Sequence, residues 1–395
     1  MAWKIPLFDL DIGDQELEAL RRVVDSRWIS MGEATQQLER RFARAHDAMY
    51  GVAVSSATAA LHLSLRVLDI GPGDEVICPS LTFVATANAV LYVGATPVFA
   101  DITSPASLTI SPKDIERKVT ERTRAILVMH YAGFPCDMDK INDIAQRHGC
   151  AVVEDAAHAP LSEYKGRKVG TLGDVGCFSF FSNKNMTTAE GGMLLTNNQE
   201  IAERARVLRS HGMTTLSYDR FKGHASSYDV IDLGYNYRLD DLRAAVGLVQ
   251  LHKLPAMNAK RRKLRELYTQ RLAQLEGVIV PFSADEERSS NLQTSPYIFP
   301  VVLTNGRDRE DVRRSLARRG IQTSVHYPPV HLFQLYQDRL GCRAGDLPIT
   351  ESVASNIISL PFYSSMTQEN VDSVVNGLKR ALRESLRTDR MVMRT

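Results

Sequence analysis

Between residues 50 and 200, short runs that are apolar at nearly every position alternate with longer stretches that are apolar at every third or fourth position. The runs at 75–79 (EVICP), 95–102 (ATPVFADI), 124–131 (RAILVMHY), 150–154 (CAVVE), 175–181 (VGCFSFF) and 192–196 (GMLLT) lack the alternation of a strand with one wet face. They predict strands buried on both sides of a largely parallel sheet. The stretches between them, 57–68, 83–93 and 137–148, predict helices, and the alternation as a whole predicts an α/β domain covered on both faces.

The pattern changes after Arg238. Residues 239–275 carry helical periodicity through Leu242, Val246, Val249 and Leu254, with an expected break at Pro255 and a highly charged helix over 260–275. A strand at 297–303, a helix at 309–319, a strand at 322–326 and a final helix at 368–386 follow, with a frayed tail at 387–395. With 395 residues, the chain is too long for one ordinary core. We therefore expect a large α/β domain over 1–250, including an N-terminal arm, and a smaller C-terminal α+β domain over 251–395. No repeat or low-complexity segment interrupts either.

Composition narrows the class. An apolar fraction of 44% and a charged fraction of 24% are those of a globular protein. The 48 Lys and Arg residues against 46 Asp and Glu residues speak against a concentrated basic face, so no nucleic-acid partner is expected. Five widely spaced cysteines, three of them (Cys78, Cys150, Cys177) in or beside strand-like runs, read as reduced core thiols rather than disulfides or a metal site. No apolar run approaches membrane-spanning length, and the first residues do not resemble a leader, so a cytosolic protein is expected.

Three features carry candidate chemistry. In VSSATAALHLSL (54–65), Ser55, Ser56 and Thr58 stand where the chain enters a helix, which suits either a phosphate or an ordinary serine N-cap. In VVEDAAHA (152–159), Glu154 and Asp155 end a buried strand at the edge of an open sheet, as functional carboxylates or as a cap. Lys184 follows another strand, where its amine either snorkels to solvent or is desolvated, kept neutral and able to form a Schiff base. Together they suggest a pyridoxal phosphate pocket, with phosphate at the helix start, Asp155 on the pyridine nitrogen and Lys184 on the aldehyde. By contrast GPGDEV (71–76) precedes a strand instead of opening a helix, which argues against a nicotinamide site.

The blocks RWISMG (27–32), GPGDEVICPSLTFVATANAVLYVGATPVFADI (71–102), EDAAHA (154–159), GCFSFFSNKNMTTAEGGMLLTN (176–197), LGYNYRLDDLRAAVGLVQL (233–251), HYPPVH (326–331) and SLPF (359–362) resemble, in order, the DegT/DnrJ/EryC1/StrS family of nucleotide-sugar aminotransferases. The resemblance implies the fold-type I architecture: a mixed, mostly parallel central sheet flanked by helices, with a smaller C-terminal α+β domain. It makes Lys184 the residue that binds the cofactor aldehyde and Asp155 the partner of the pyridinium. Phe83 would lie against the cofactor ring and His158 near its other side, although spacing alone would read both as core packing. The phosphate would be bound by Ala57, Thr58, Ala59 and Ser179, and by Asn236 reaching into the partner subunit of a homodimer. Arg238 is a candidate for an anionic substrate group or a structural ion pair, and His326 and His331 for the sugar or nucleotide site or a proline-fixed turn. Two positions where the family often has glycine are Ala57 and Ala189 here.

The resemblance further implies transfer of an amino group from L-glutamate to a keto sugar, with pyridoxamine phosphate and 2-oxoglutarate formed midway. The family's dehydratases have histidine in place of the lysine, so Lys184 favours transamination. The EDAAHA block resembles branches that aminate carbon 4 of a nucleotide-linked 4-keto-6-deoxyhexose more than those that aminate carbon 3.

Overall fold

The computed structural model describes residues 3–215, 227–282 and 292–392, so that 393–395 of the expected tail lie outside the described residues. Seven strands form the central sheet: β1 (Tyr50–Val54), β2 (Glu75–Pro79), β3 (Thr96–Ala100), β4 (Thr123–Met129), β5 (Ala151–Asp155), β6 (Val175–Ser179) and β7 (Gly192–Thr196). Their order is β1-β7-β6-β5-β4-β2-β3. β7 runs antiparallel to both neighbours and every other pairing is parallel. The interior strands are buried at almost every position, which is why they read as continuous apolar runs. Pro97, which cannot donate to a ladder, sits on edge strand β3.

The helices are α1 (Asp14–Asp25), α2 (Glu33–Ala45), α3 (Ala57–Val67), α4 (Ala85–Tyr92), α5 (Pro112–Lys118), α6 (Met138–His148), α7 (Gln199–Arg209), α8 (Asp241–Leu272), α9 (Arg309–Arg318), α10 (Gln334–Leu340), α11 (Pro348–Asn356) and α12 (Gln368–Val392). Their ends follow local chemistry. Asp137 caps α6 by accepting from Lys140 N, and Gly149 ends it at φ 64. The N-cap of α2 is Gly32, which has no side chain; Asp241 of α8 substitutes, accepting from Gly32 N at 2.8 Å, Thr35 N at 2.9 Å and Ala34 N at 3.1 Å. Two helices remote in sequence are thereby locked together.

A second core lies beyond α8. The strands Val278–Ile279, Phe299–Leu303 and Ile357–Leu360 form an antiparallel sheet. Phe299, Val301, Ile358, Val371, Val374 and Leu378 of this region share one cluster with Leu264 and Tyr268 of α8 and with Ile5 of the N-terminal arm.

Three expectations change. Pro255 does not break the helix: α8 continues through it and past residue 250, with Leu254 and Met257 buried on either side, so packing outweighs the lost hydrogen bond. Residues 322–326 form no regular strand; Ile321 and Ser324 make only isolated bridges, to Ile5 and Ser359. The final helix reaches Val392 rather than fraying at 387.

Candidate active site

Register brings four strand ends to one edge of the sheet. Val54 of β1 and Ser179 of β6 both pair with Gly192 of β7, and Cys177 pairs with Asp155 of β5. The chain leaves β1 directly into α3. Ser56 is the N-cap of α3, its side chain accepting from Ala59 N at 3.1 Å, and Ala60 N donates to Ser56 O. The serine is therefore an ordinary cap, and the N–H groups of Ala57 and Thr58 precede the first intrahelical bond. A Cβ on Gly192 would come within 2.6 Å of Ser56 C and 2.7 Å of Ala57 N, so only glycine lets β7 run against this helix start.

Asp155 is 4% exposed. Its Oδ2 accepts from Thr86 Oγ1 at 2.8 Å and its Oδ1 from Ala157 N at 3.2 Å. Burial pushes its carboxyl above the usual range, against the Thr86 and Ala157 bonds and the charge of Lys184. Lys184 is half-buried in the turn after β6, its N–H donating to Phe181 O at 3.0 Å. Burial holds its amine at about 7, with Asp155 pulling the other way. Its Nζ lies 4.1 Å from the centroid of the Tyr297 ring. Desolvation thus favours the neutral amine, the form that attacks an aldehyde or accepts a proton.

His158 is buried. Its Nδ1 accepts from Ala132 N at 3.3 Å, which places the ring proton on Nε2, 3.0 Å from Tyr327 Oη. Burial, with Lys184 and His326 nearby, holds its basicity well below the ordinary histidine range. Phe83 is 54% exposed and 6.0 Å from the Tyr327 ring, an aromatic face left open rather than packed in the core.

The other expected residues divide. Ser179 is nearly buried, and its Oγ accepts from Phe181 N at 3.3 Å. His326 bonds Ser359 Oγ at 2.8 Å, and burial followed by the Lys184 charge lowers it to about 4, which places it by the lysine. Asn236 is exposed on a segment bridged to Ser210, and Arg238 is half-buried beside Val54, its guanidinium lowered by burial and by Arg209. His331 is not brought to this group: Nδ1 bonds Ser80 Oγ at 2.7 Å and Nε2 bonds Glu351 at 3.1 Å, which leaves neither ring nitrogen for a substrate. Ala189 holds φ 68, a left-handed conformation that glycine adopts without cost.

Thr86, Asn183, Tyr297 and Tyr327 also line the site, though the sequence did not single them out. Thr86 stands one helical turn after Phe83, and Tyr327 follows His326, so spacing could have found those two; Asn183 and Tyr297 meet across 114 residues.

Comparison with known proteins identifies the family and the fold. The model of the DegT/DnrJ/EryC1/StrS aminotransferase family matches residues 10–379. The spore coat polysaccharide biosynthesis protein SpsC of Bacillus subtilis is 40% identical over 382 residues, 96% of this chain and 96% of that protein. The aminotransferase TlmJ from Streptoalloteichus hindustanus is 35% identical with a TM-score of 0.88, over 96% of this chain and 99% of its own. PseC of Helicobacter pylori, an aminotransferase of pseudoaminic acid biosynthesis, is 27% identical with a TM-score of 0.88, over 96% of this chain and 99% of its own.

Proposed function

Because the chain belongs to the DegT/DnrJ/EryC1/StrS aminotransferase family, whose members are pyridoxal-phosphate-dependent sugar aminotransferases of fold type I, we propose that it moves an amino group from L-glutamate to a nucleotide-linked 4-keto-6-deoxyhexose. The products are 2-oxoglutarate and a 4-amino-4,6-dideoxy sugar for a glycan or antibiotic. The single observation that carries the reading is that the paired strands β5 and β6 bring the buried Asp155 carboxylate and the Lys184 amine to one sheet edge. The roles of SpsC and PseC support the sugar class.

The residues fit the cofactor. A cradle of free N–H groups at Ala57 and Thr58, closed by Gly192 and flanked by Ser179, suits a phosphate, and Phe83 offers a face to a planar ring. Bound there, pyridoxal phosphate supplies the aldehyde that takes the amino group and a ring that accepts the electron pair left when the α proton departs. Asp155, its oxygens fixed by Thr86 and Ala157 N, would hold the protonated ring nitrogen. With the cofactor bound, Lys184 Nζ would be the base that takes the proton from the donor's α carbon and the acid that returns one in the second half-reaction. Donor and acceptor use one site in turn, so the kinetics are ping-pong.

Tyr228, Val230, Ile231 and Leu233 are exposed just before Asn236, Leu233 at 77%. This apolar segment supports a homodimer in which Asn236 reaches the phosphate site of a second copy. No described helix is long and apolar enough to cross a membrane, and the five cysteines are free; we place the enzyme in the cytoplasm.

The test is incubation with glutamate and a panel of 3-keto and 4-keto nucleotide sugars and keto-inositols, followed by NMR location of the new C–N bond. Amination at carbon 4 is expected. Amination only at carbon 3 or of an inositol overturns the acceptor, loss of a hydroxyl without amination marks a dehydratase, and protein that neither turns yellow nor consumes glutamate overturns the whole reading.

A further inference from the structure

Tyr297 lies two residues before the strand Phe299–Leu303 and is 4% exposed, in a cluster that joins Val302 and Ile357 of that small sheet to Met129 of β4. Its backbone N–H donates to Ala132 O at 3.0 Å and its hydroxyl donates to Asn183 Oδ1 at 2.9 Å, so the ring is tethered to the residue next to Lys184. Two groups meet the ring: Lys184 Nζ at 4.1 Å and the His158 ring at 4.2 Å from its centroid. His158 is neutral, because its Nδ1 accepts the Ala132 N–H. Among the described residues the lysine is the cation placed over this ring; Arg261 instead donates to the Tyr297 carbonyl at 3.2 Å.

An ammonium formed where burial disfavours charge needs a counterpart. The nearby carboxylate, Asp155, already receives Thr86 and Ala157 N, and its remaining capacity would be taken by the ring nitrogen of a bound cofactor. The electron-rich face of a tyrosine stabilises a cation without accepting its proton, which a carboxylate could do. Resting on the aminotransferase reading above, we propose that Tyr297 is a positioning residue whose ring holds the released Lys184 amine as ammonium between taking a proton from one substrate and delivering one to the next. The balance is simple: Nζ gains one proton from a carbon, the ring binds the charge, and the same proton count leaves in delivery.

The experiment uses the full chain freed of cofactor. Acetylation of Lys184 by acetic anhydride, followed by mass spectrometry across pH, reports the fraction of neutral amine, with a wild-type midpoint expected near 7. Tyr297→Leu, which keeps the site apolar but removes the face, is expected to lower the midpoint by about one pH unit, since the cation–π term is comparable to one tenfold step. Tyr297→Phe keeps the face, loses the Asn183 bond and is expected to retain the wild-type midpoint. Pentafluorophenylalanine at 297 keeps the shape but cancels the negative face, and is expected to move with the leucine variant even if leucine fails to fold. A midpoint unchanged in the leucine and fluorinated variants, or moved as far by phenylalanine, overturns the holding role. Yellow colour on adding pyridoxal phosphate is scored separately: its absence in the wild type defeats the aminotransferase reading, whereas colour with coincident midpoints defeats only the role of Tyr297.

Discussion

Glu154 and Asp155 are consecutive, both almost without exposure, and point to opposite faces of β5. Glu154 receives four donors: His130 Nε2 at 2.9 Å, Gly170 N at 2.8 Å, and Leu172 N and Gly173 N at 2.7 Å. His130 is itself fixed, its Nδ1 accepting from Cys136 N at 3.1 Å. Asp155 receives two donors and faces an amine that burial keeps near neutrality. One carboxylate is saturated and ties a loop to the sheet; the other keeps capacity in reserve for a ligand. The contrast separates structural from chemical charge better than burial does, because burial is the same for both.

The largest effects should separate the two faces most clearly. Lys184→Ala is expected to abolish the yellow band with pyridoxal phosphate and to lower turnover by about 10⁴-fold or more. Asp155→Asn is expected to lower it by about 10³-fold while the urea midpoint stays near wild type, since the amide oxygen still accepts from Thr86. Glu154→Gln should do the reverse. Its amide nitrogen would face N–H donors already in place, costing about 3 kcal/mol in urea unfolding, with little change in turnover per folded molecule. Comparable activity losses in both carboxylate variants would erase the distinction.

Much of this was legible in sequence for a physical reason. Strands buried on both faces are apolar throughout, and the edge carrying Asp155 and Lys184 lies where such runs end. The role of Glu154 was not legible, because three of its four donors are backbone groups, which every sequence supplies. Tyr297 was hidden for a related reason: it reaches Asn183, 114 residues away, only through the tertiary cluster that joins the small sheet to β4. Continuity of α8 through Pro255 and the position of His331 against Ser80 and Glu351 are likewise tertiary outcomes that override local preference.

The pH dependence sharpens the comparison from the lysine side. In the cofactor-free chain the Lys184 amine sits at about 7 when folded and near the ordinary 10.5 when unfolded. Between those values the unfolded state binds the extra proton, so stability rises with pH, by up to about 1.4 kcal/mol per unit, and is flat with respect to this group below 7. Relative to Lys184→Met, the wild type should gain about 2 kcal/mol between pH 7 and 9 in paired urea titrations. Glu154→Gln should leave that gain intact; if it removes the gain, the two faces are coupled and the contrast fails.

The smallest expected effect lies with the residue that keeps Asp155 oriented. Thr86 stands on α4 one turn after Phe83, donates to Asp155 Oδ2 at 2.8 Å and bonds Thr82 Oγ1 at 2.7 Å. Thr86→Val preserves volume and removes the donor, leaving one Asp155 oxygen free to rotate away from the ring nitrogen. A hydrogen bond to a charged group contributes about 1.5 kcal/mol, so kcat/KM should fall by about tenfold. Thr86→Ser should restore most of it, because serine can place the same hydroxyl, whereas a packing role for the methyl would be rescued by valine instead. The two replacements predict opposite rankings in turnover, and the valine variant outperforming the serine variant would show that Asp155, like Glu154, is held mainly by backbone donors.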